Sequence, residues 1–212
     1  MPRGKFITIE GGEGAGKSTQ AHRLAETLRA HGLNVVETYE PGGPSGAQAI
    51  RGLLLGSDGH HWEPMTEALL HFAARREHVS KTVLPALERG DWVVSDRFAD
   101  STVAYQGYGL GLGCEMIEAL YELSIGQFGP DATIMLDLPA EDGMARARSR
   151  GDKLDRYETM DIEFHRRLRQ GFLDIAARYP GRCVVVDASG SMEDIAAEIF
   201  NAVQIRLEVP AP

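Results

Sequence analysis

The sequence predicts an α/β fold in three layers, with a five-stranded parallel sheet flanked on both faces by helices. Three observations predict it. Short runs rich in β-branched and aromatic residues alternate with helix-period segments to the end of the chain, so each strand is followed by a crossover helix and not by a tight hairpin. A glycine-rich segment, Gly11-Gly12-Glu13-Gly14-Ala15-Gly16-Lys17-Ser18-Thr19, lies between the first such run and the first helical segment. At 212 residues the chain is long enough for one well-buried core, and no repeat, low-complexity tract or linker divides it. Residues 1–212 are therefore expected to form one domain, with a short lid segment over about 143–158.

Taken in order, the strand candidates are 5–10, 34–39, 91–96, 132–138 and 182–187. The first reads Lys5-Phe6-Ile7-Thr8-Ile9-Glu10, and the helix after the glycine loop carries Leu24 and Leu28 at helical spacing. Glu40-Pro41-Gly42-Gly43-Pro44-Ser45-Gly46 follows the second strand as a loop. The longest helical stretch runs from Met65 to about Glu88 with Leu69, Leu70, Phe72, Ala73, Val79, Val83 and Leu87, and Pro85 is expected to end or kink it. Beyond the third strand lies Gly107-Tyr108-Gly109-Leu110-Gly111-Leu112-Gly113. Loops at the carboxyl ends of parallel strands carry ligands, so both loops are candidates to line one crevice, with ordinary turn chemistry as the alternative.

Composition limits the function classes. With 31 acidic against 22 basic residues, the net charge of −9 argues against a general polyanion binder, so no nucleic-acid polymer is expected as a partner. Cys114 and Cys183 are isolated, without metal-site or redox spacing. No apolar signal region follows Met1-Pro2-Arg3-Gly4 and no segment has the length of a membrane span, so a cytoplasmic protein without membrane contact is expected.

The chemistry starts at the glycine loop, which fits the spacing Gly, four residues, Gly-Lys-Ser/Thr of a phosphate-binding loop, or P-loop. Glycines let several backbone N–H groups face one phosphate, and the helix that follows adds its positive end. Gly11 through Thr19 are thus expected to hold a nucleoside triphosphate, Lys17 to reach its β- and γ-phosphates, and Ser18 to take a position on Mg²⁺. The third strand ends in Asp96-Arg97, where a carboxylate suits Mg²⁺ or the acceptor and a guanidinium suits a phosphate. Asp137, at the end of the fourth strand, is a second such carboxylate, with helix capping as its alternative. Arg146, Arg148, Arg150 and Arg156 surround the helix breaker Gly151, an arrangement suited to a lid that brings positive charge to a moving phosphoryl group. Arg166, Arg167 and Arg169 have no such hinge and read as a solvated face. His71 and Phe72 precede Arg75 and Arg76 by one turn, so a ring and a phosphate fork are placed to face one pocket, although periodicity alone makes Phe72 core. Ser101, Thr102, Tyr105 and Gln106 offer hydroxyl and amide groups for a base edge or a sugar.

From Phe6 to about Ile199 these stretches together resemble the thymidylate kinases. The resemblance is carried by Ile9-Glu10 with the glycine loop, Glu40-Pro41-Gly42-Gly43, Ile50-Arg51 before Leu53-Leu54-Leu55, Phe72 through Val79, Asp96-Arg97-Phe98, Ala104-Tyr105-Gln106-Gly107 and Asp155-Arg156-Tyr157-Glu158. It implies transfer of the ATP γ-phosphoryl to thymidine monophosphate, with Mg²⁺, in a homodimer. It also implies that Asp96 and Arg97 position Mg²⁺ and phosphates, and that Glu40 lies on the acceptor side. Arg51 and Arg75 would contact the acceptor phosphate, and Gln106 with Ser101 or Thr102 would face the thymine. Tyr105 would crowd the 2′ position of the sugar. The loop has no arginine, Glu13 standing where some members carry one, while the lid segment is arginine-rich, as in the bacterial branch. The stacking ring of the family falls at His71, with Phe72 beside it, and the arginines usual before Glu-Pro-Gly-Gly and in the later glycine loop are replaced by Tyr39 and Leu110. Rival readings are a kinase for another nucleoside or monophosphate, and a nucleotide-binding switch. A GTP switch predicts Asn-Lys-x-Asp, and neither Asn34 nor Asn201 stands in that setting.

Overall fold

The computed structural model describes residues 3–55, 62–149, 151 and 156–210. Five strands, β1 (Phe6–Gly11), β2 (Val35–Tyr39), β3 (Trp92–Asp96), β4 (Ala132–Asp137) and β5 (Cys183–Asp187), form one parallel sheet in the order β2-β3-β1-β4-β5. The helices are α1 (Lys17–Ala30), α2 (Ser45–Leu55), α3 (Pro64–His78), α4 (Leu84–Glu88), α5 (Ala99–Thr102), α6 (Cys114–Ser124), α7 (Ala140–Ser149), α8 (Ile162–Arg178) and α9 (Met192–Leu207). Two π-helical turns, Val79–Val83 and Val103–Gly109, continue α3 and α5.

Alternation along β1 assigns its side chains to two layers. Ile7 and Ile9 pack with Leu24 and Leu28 of α1 and Ile195 and Ile199 of α9, whereas Phe6 packs with Val83, Leu87 and Phe98 on the other face. Each fully buried Ile or Leu contributes on the order of 1.5–3 kcal/mol, so these layers hold the sheet. Thr8 and Glu10 share the second face and stay buried because they are bonded there: Thr8 pairs its hydroxyl with that of Thr133 at 2.9 Å. Arg182 in turn donates to Thr133 and to both carboxylate oxygens of Asp100.

The helix expected over Met65–Glu88 is observed, and it passes through Pro85 without ending. Proline lacks an N–H and crowds the carbonyl four residues back. The π-helical turn immediately before it, in which the Leu84 N–H reaches back to the Val79 carbonyl, changes the hydrogen-bond register at that point. Because β1 sits between β3 and β4 while the chain runs first to one side and then to the other, a crevice opens at the carboxyl ends of β1 and β3. Among the described residues no helix is long and apolar enough to cross a membrane.

Candidate active site

A cleft of about 980 Å³ occupies this crevice. Its floor is the loop between β1 and α1. Gly11 ends β1 at φ 142, where a Cβ would lie 2.5 Å from the Leu136 carbonyl oxygen, and Gly16 caps α1 at φ 85. The loop therefore needs glycine for close approach at one end and for a left-handed turn at the other. Glu13, Gly14, Gly16, Lys17, Ser18 and Thr19 line the cleft; Gly11, Gly12 and Ala15 form the loop beneath without lining it. Lys17 is only 7% exposed and donates to the Gly12 carbonyl at 2.6 Å. Burial, then the Arg97 guanidinium, brings its pKa down to about 8. Ser18 donates a short hydrogen bond to Asp96, the last residue of β3, which β1 holds in register opposite Ile9.

Arg97 follows in a left-handed conformation, φ 71, that a non-glycine residue adopts at a cost of about 1–3 kcal/mol. Its N–H donates to the Ile9 carbonyl at 2.9 Å and its carbonyl accepts from Ser95 at 2.8 Å. Glu10 accepts from the next N–H, that of Phe98, at 2.8 Å and from the Ser101 hydroxyl at 2.5 Å. Burial, with Asp100 second, raises the Glu10 carboxyl to about 7. These bonds aim Arg97 across the cleft, where it donates to both Glu13 oxygens at 3.2 Å and to the Tyr105 hydroxyl at 3.0 Å. The Glu13 side chain thus reaches toward the later segments instead of along its own loop. Burial would raise its pKa, but Arg97, Lys17 and Tyr105 together hold it down at about 2.

Opposite stands Arg75, buried on α3. Its Nε donates to Glu40 at 2.8 Å, and Nη2 donates to the Phe98 carbonyl at 3.0 Å and Thr102 at 2.9 Å. The second Glu40 oxygen pairs with His78 at 2.8 Å. Ser101 and Thr102 line the cleft, but their hydroxyls are engaged by Glu10 and Arg75. Arg51 lines it as well, donating to the Pro41 carbonyl at 2.7 Å with its guanidinium 5.3 Å from the Tyr39 ring centre. His71 lines the cleft, and burial with Arg75, Arg97 and Arg156 lowers it to about 3, so the imidazole is neutral near pH 7. Phe72 does not line the cleft: it is 2% exposed and packs with Ala68, Ile117 and Tyr121, the core placement its periodicity allowed. Tyr105 and Gln106, on the second π-helical turn, complete this wall.

The arginines expected in the lid are separated. Arg146 lines the cleft and donates to the Ala188 and Ser189 carbonyls at 2.9 and 3.3 Å. Arg148 is exposed and outside the lining, and Arg150 lies outside the described residues. Arg156 bonds Glu67. Asp137 neither lines the cleft nor caps a helix but takes both arms of Arg169 at 2.7 and 2.8 Å, so Arg169 is no part of an unpaired solvated face. The loop 107–113 does not line the cleft either, since Gly107 and Gly109 are spent in the π-helical turn.

Glu10 and Glu67 were not singled out in the sequence. Glu67 carried a signal, for with His71 and Arg75 it makes a polar ridge at i, i+4, i+8 beside the apolar stripe of α3. Glu10 carried only the alternation that makes a buried strand residue polar. Among the described residues three buried atoms without a hydrogen-bond partner belong to residues of the cleft lining: Arg75 Nη1, Asp96 Oδ1 and Gln106 Oε1. Such atoms are costly unless a ligand meets them, so residues of the lining keep one cation arm and two acceptors that the protein itself does not satisfy.

Comparison with known proteins agrees with this geometry. The family model described as thymidylate kinase matches residues 9–199. A thymidylate kinase of Caulobacter vibrioides is 50% identical over 207 residues, covering 98% of this chain and 99% of the relative. One of Rhizorhabdus wittichii is 49% identical, covering 95% and 97%. The crystal structure of thymidylate kinase from Ehrlichia chaffeensis superposes with a TM-score of 0.79 at 37% identity, over 96% of this chain and 100% of that one. The chain belongs to the thymidylate kinase family.

Proposed function

We propose that the protein transfers the γ-phosphoryl group of ATP to thymidine monophosphate, giving thymidine diphosphate and ADP. The observation that carries this reading is a cleft floored by the phosphate loop whose lining residues Arg75, Asp96 and Gln106 each hold a buried polar atom without a protein partner, Nη1, Oδ1 and Oε1. Phosphoryl transfer asks for positioning and charge stabilisation more than for covalent work. The glycine loop and Lys17 hold the β- and γ-phosphates of ATP, and Arg97, Arg75 and Arg51 hold the acceptor phosphate against them. The acceptor oxygen is already anionic near neutral pH, so no strong general base is required. Neutral His71 offers a ring to the base without a charge to desolvate, and Gln106 reads the base edge.

The Ser18 hydroxyl and the Asp96 carboxylate are adjacent hard oxygen donors, and Asp96 Oδ1 has no partner; this suits Mg²⁺, which takes few protein ligands and fills its shell with phosphate and water. When bound, the ion neutralises charge on the β- and γ-phosphates. On the same reading residues 143–158 act as a lid of the single domain, with Arg146, the lid arginine that lines the cleft among the described residues, bringing positive charge to the phosphoryl group in place of a loop arginine. The enzyme works in the cytoplasm as a homodimer. The test is ADP release with ATP and each natural nucleoside monophosphate in turn: thymidine monophosphate is expected to give the highest kcat/KM. Activity with another base and none with thymidine monophosphate would reject the acceptor, and ADP release independent of any acceptor would reject the kinase.

A further inference from the structure

Resting on that reading, we propose that Glu67 is a positioning residue for base recognition, fixing the sense of the Gln106 amide so that an acceptor oxygen is presented to the nucleobase. Glu67 lies on α3 with 0% exposure and does not line the cleft. Its Oε1 accepts from Gln106 Nε2 at 2.8 Å and from the Tyr157 hydroxyl at 2.7 Å, while Oε2 takes Arg156. Gln106 Nε2 also donates to the Tyr157 oxygen at 3.0 Å.

The donors and acceptors in this group admit one arrangement. A carboxylate only accepts and a guanidinium only donates, so the single phenol proton goes to Glu67 and the Tyr157 oxygen is left to accept. His71 Nε2, 3.4 Å from that oxygen, is then a donor. The end of Gln106 that meets both Glu67 and Tyr157 must be its NH₂. Turning the amide over would set its oxygen against a carboxylate and a phenol oxygen, leaving buried polar atoms without partners. The consequence is the partnerless Oε1 on a residue of the cleft wall. An acceptor there selects a ring that carries an N–H. Thymine has one at N3, where cytosine has a lone pair. A buried carboxylate that never touches the nucleotide thereby sets which base is accepted, and Arg156 supplies its countercharge.

The test is steady-state kinetics with thymidine and deoxycytidine monophosphates. Glu67→Gln keeps the size of the side chain but offers both a donor and an acceptor, so both senses of Gln106 become bonded. It is expected to raise the KM for thymidine monophosphate about tenfold with kcat and the KM for ATP within about twofold, and to lower the thymidine-to-deoxycytidine ratio of kcat/KM about tenfold or more. Tyr157→Phe retains the bond between Glu67 and Gln106 and is expected to keep that ratio within about threefold. The wild-type protein supplies an arm that needs no variant to fold: thymidine monophosphate methylated at N3 has lost the ring donor and is expected to bind on the order of 100-fold more weakly. An unchanged ratio in folded Glu67→Gln, or normal wild-type use of the N3-methylated nucleotide, would overturn the proposal. Wild-type inactivity toward thymidine monophosphate would instead overturn the kinase reading.

Discussion

Lys17 shows how a residue identified by spacing alone gains a measurable property from its surroundings. Burial is the larger cause of its lowered pKa and the Arg97 guanidinium the next, while Glu13, Asp96 and Glu10 pull the other way. A triphosphate set beside the ammonium favours the charged form, so the pKa in the complex stands above the value of about 8 in the free protein. Between that value and the ordinary lysine value of 10.5 the free side chain is mostly neutral and the bound one protonated. ATP binding at about pH 9 is therefore expected to take up close to one proton, measured by calorimetry in two buffers of different ionisation enthalpy. Proton release, or none exchanged, would contradict the assignment. Lys17, Ser18 and Asp96 were legible because the loop spacing and the strand end carry their meaning locally. Phe72 was legible as core from its helical period, but which of Phe72 and His71 would reach the cleft stayed open, because neighbours on a helix differ by a rotation that only tertiary packing fixes. Glu67 was obscured for a related reason, since its partners Gln106, Arg156 and Tyr157 lie far away in sequence.

At the scale of elements, the sheet and its carboxyl-end crevice were readable because strand period and helix period alternate cleanly. The docking of α7 was not, because it depends on two glycines in different segments. A Cβ on Gly14 would lie 2.1 Å from the Gly143 carbonyl oxygen, and one on Gly143 would lie 2.4 Å from the Glu13 carbonyl oxygen. The segment named as a lid thus begins on a helix that rests against the phosphate loop. Alanine at 143 is favoured over glycine by up to about 1 kcal/mol on helix propensity, but its methyl group would push on backbone that cannot rotate away. Gly143→Ala is expected to weaken ATP binding about tenfold, read by titration calorimetry, because the loop must shift to admit the methyl group. Unchanged ATP affinity would show that α7 yields without moving the loop.

For the whole molecule, the inner and outer sides of α3 have opposite characters. Glu67, His71 and Arg75 face the polar wall of the cleft or its support, whereas Leu69, two residues from Glu67 and so on the far side of the helix, is 50% exposed. On α6, which packs against α3, Met116 is 44% and Leu123 85% exposed. Apolar side chains on neighbouring helices are the means by which a second copy of the chain would cover this side, and covering it would also brace the helix that carries His71 and Arg75. Sedimentation equilibrium is expected to return about twice the chain mass of 23.1 kDa. Leu69→Glu with Leu123→Glu is expected to shift the protein to the monomer, since an isologous interface uses the same patch on both subunits and so buries each added charge twice. A monomeric wild type would reject the homodimer, and a double variant that stays dimeric would move the interface to another face.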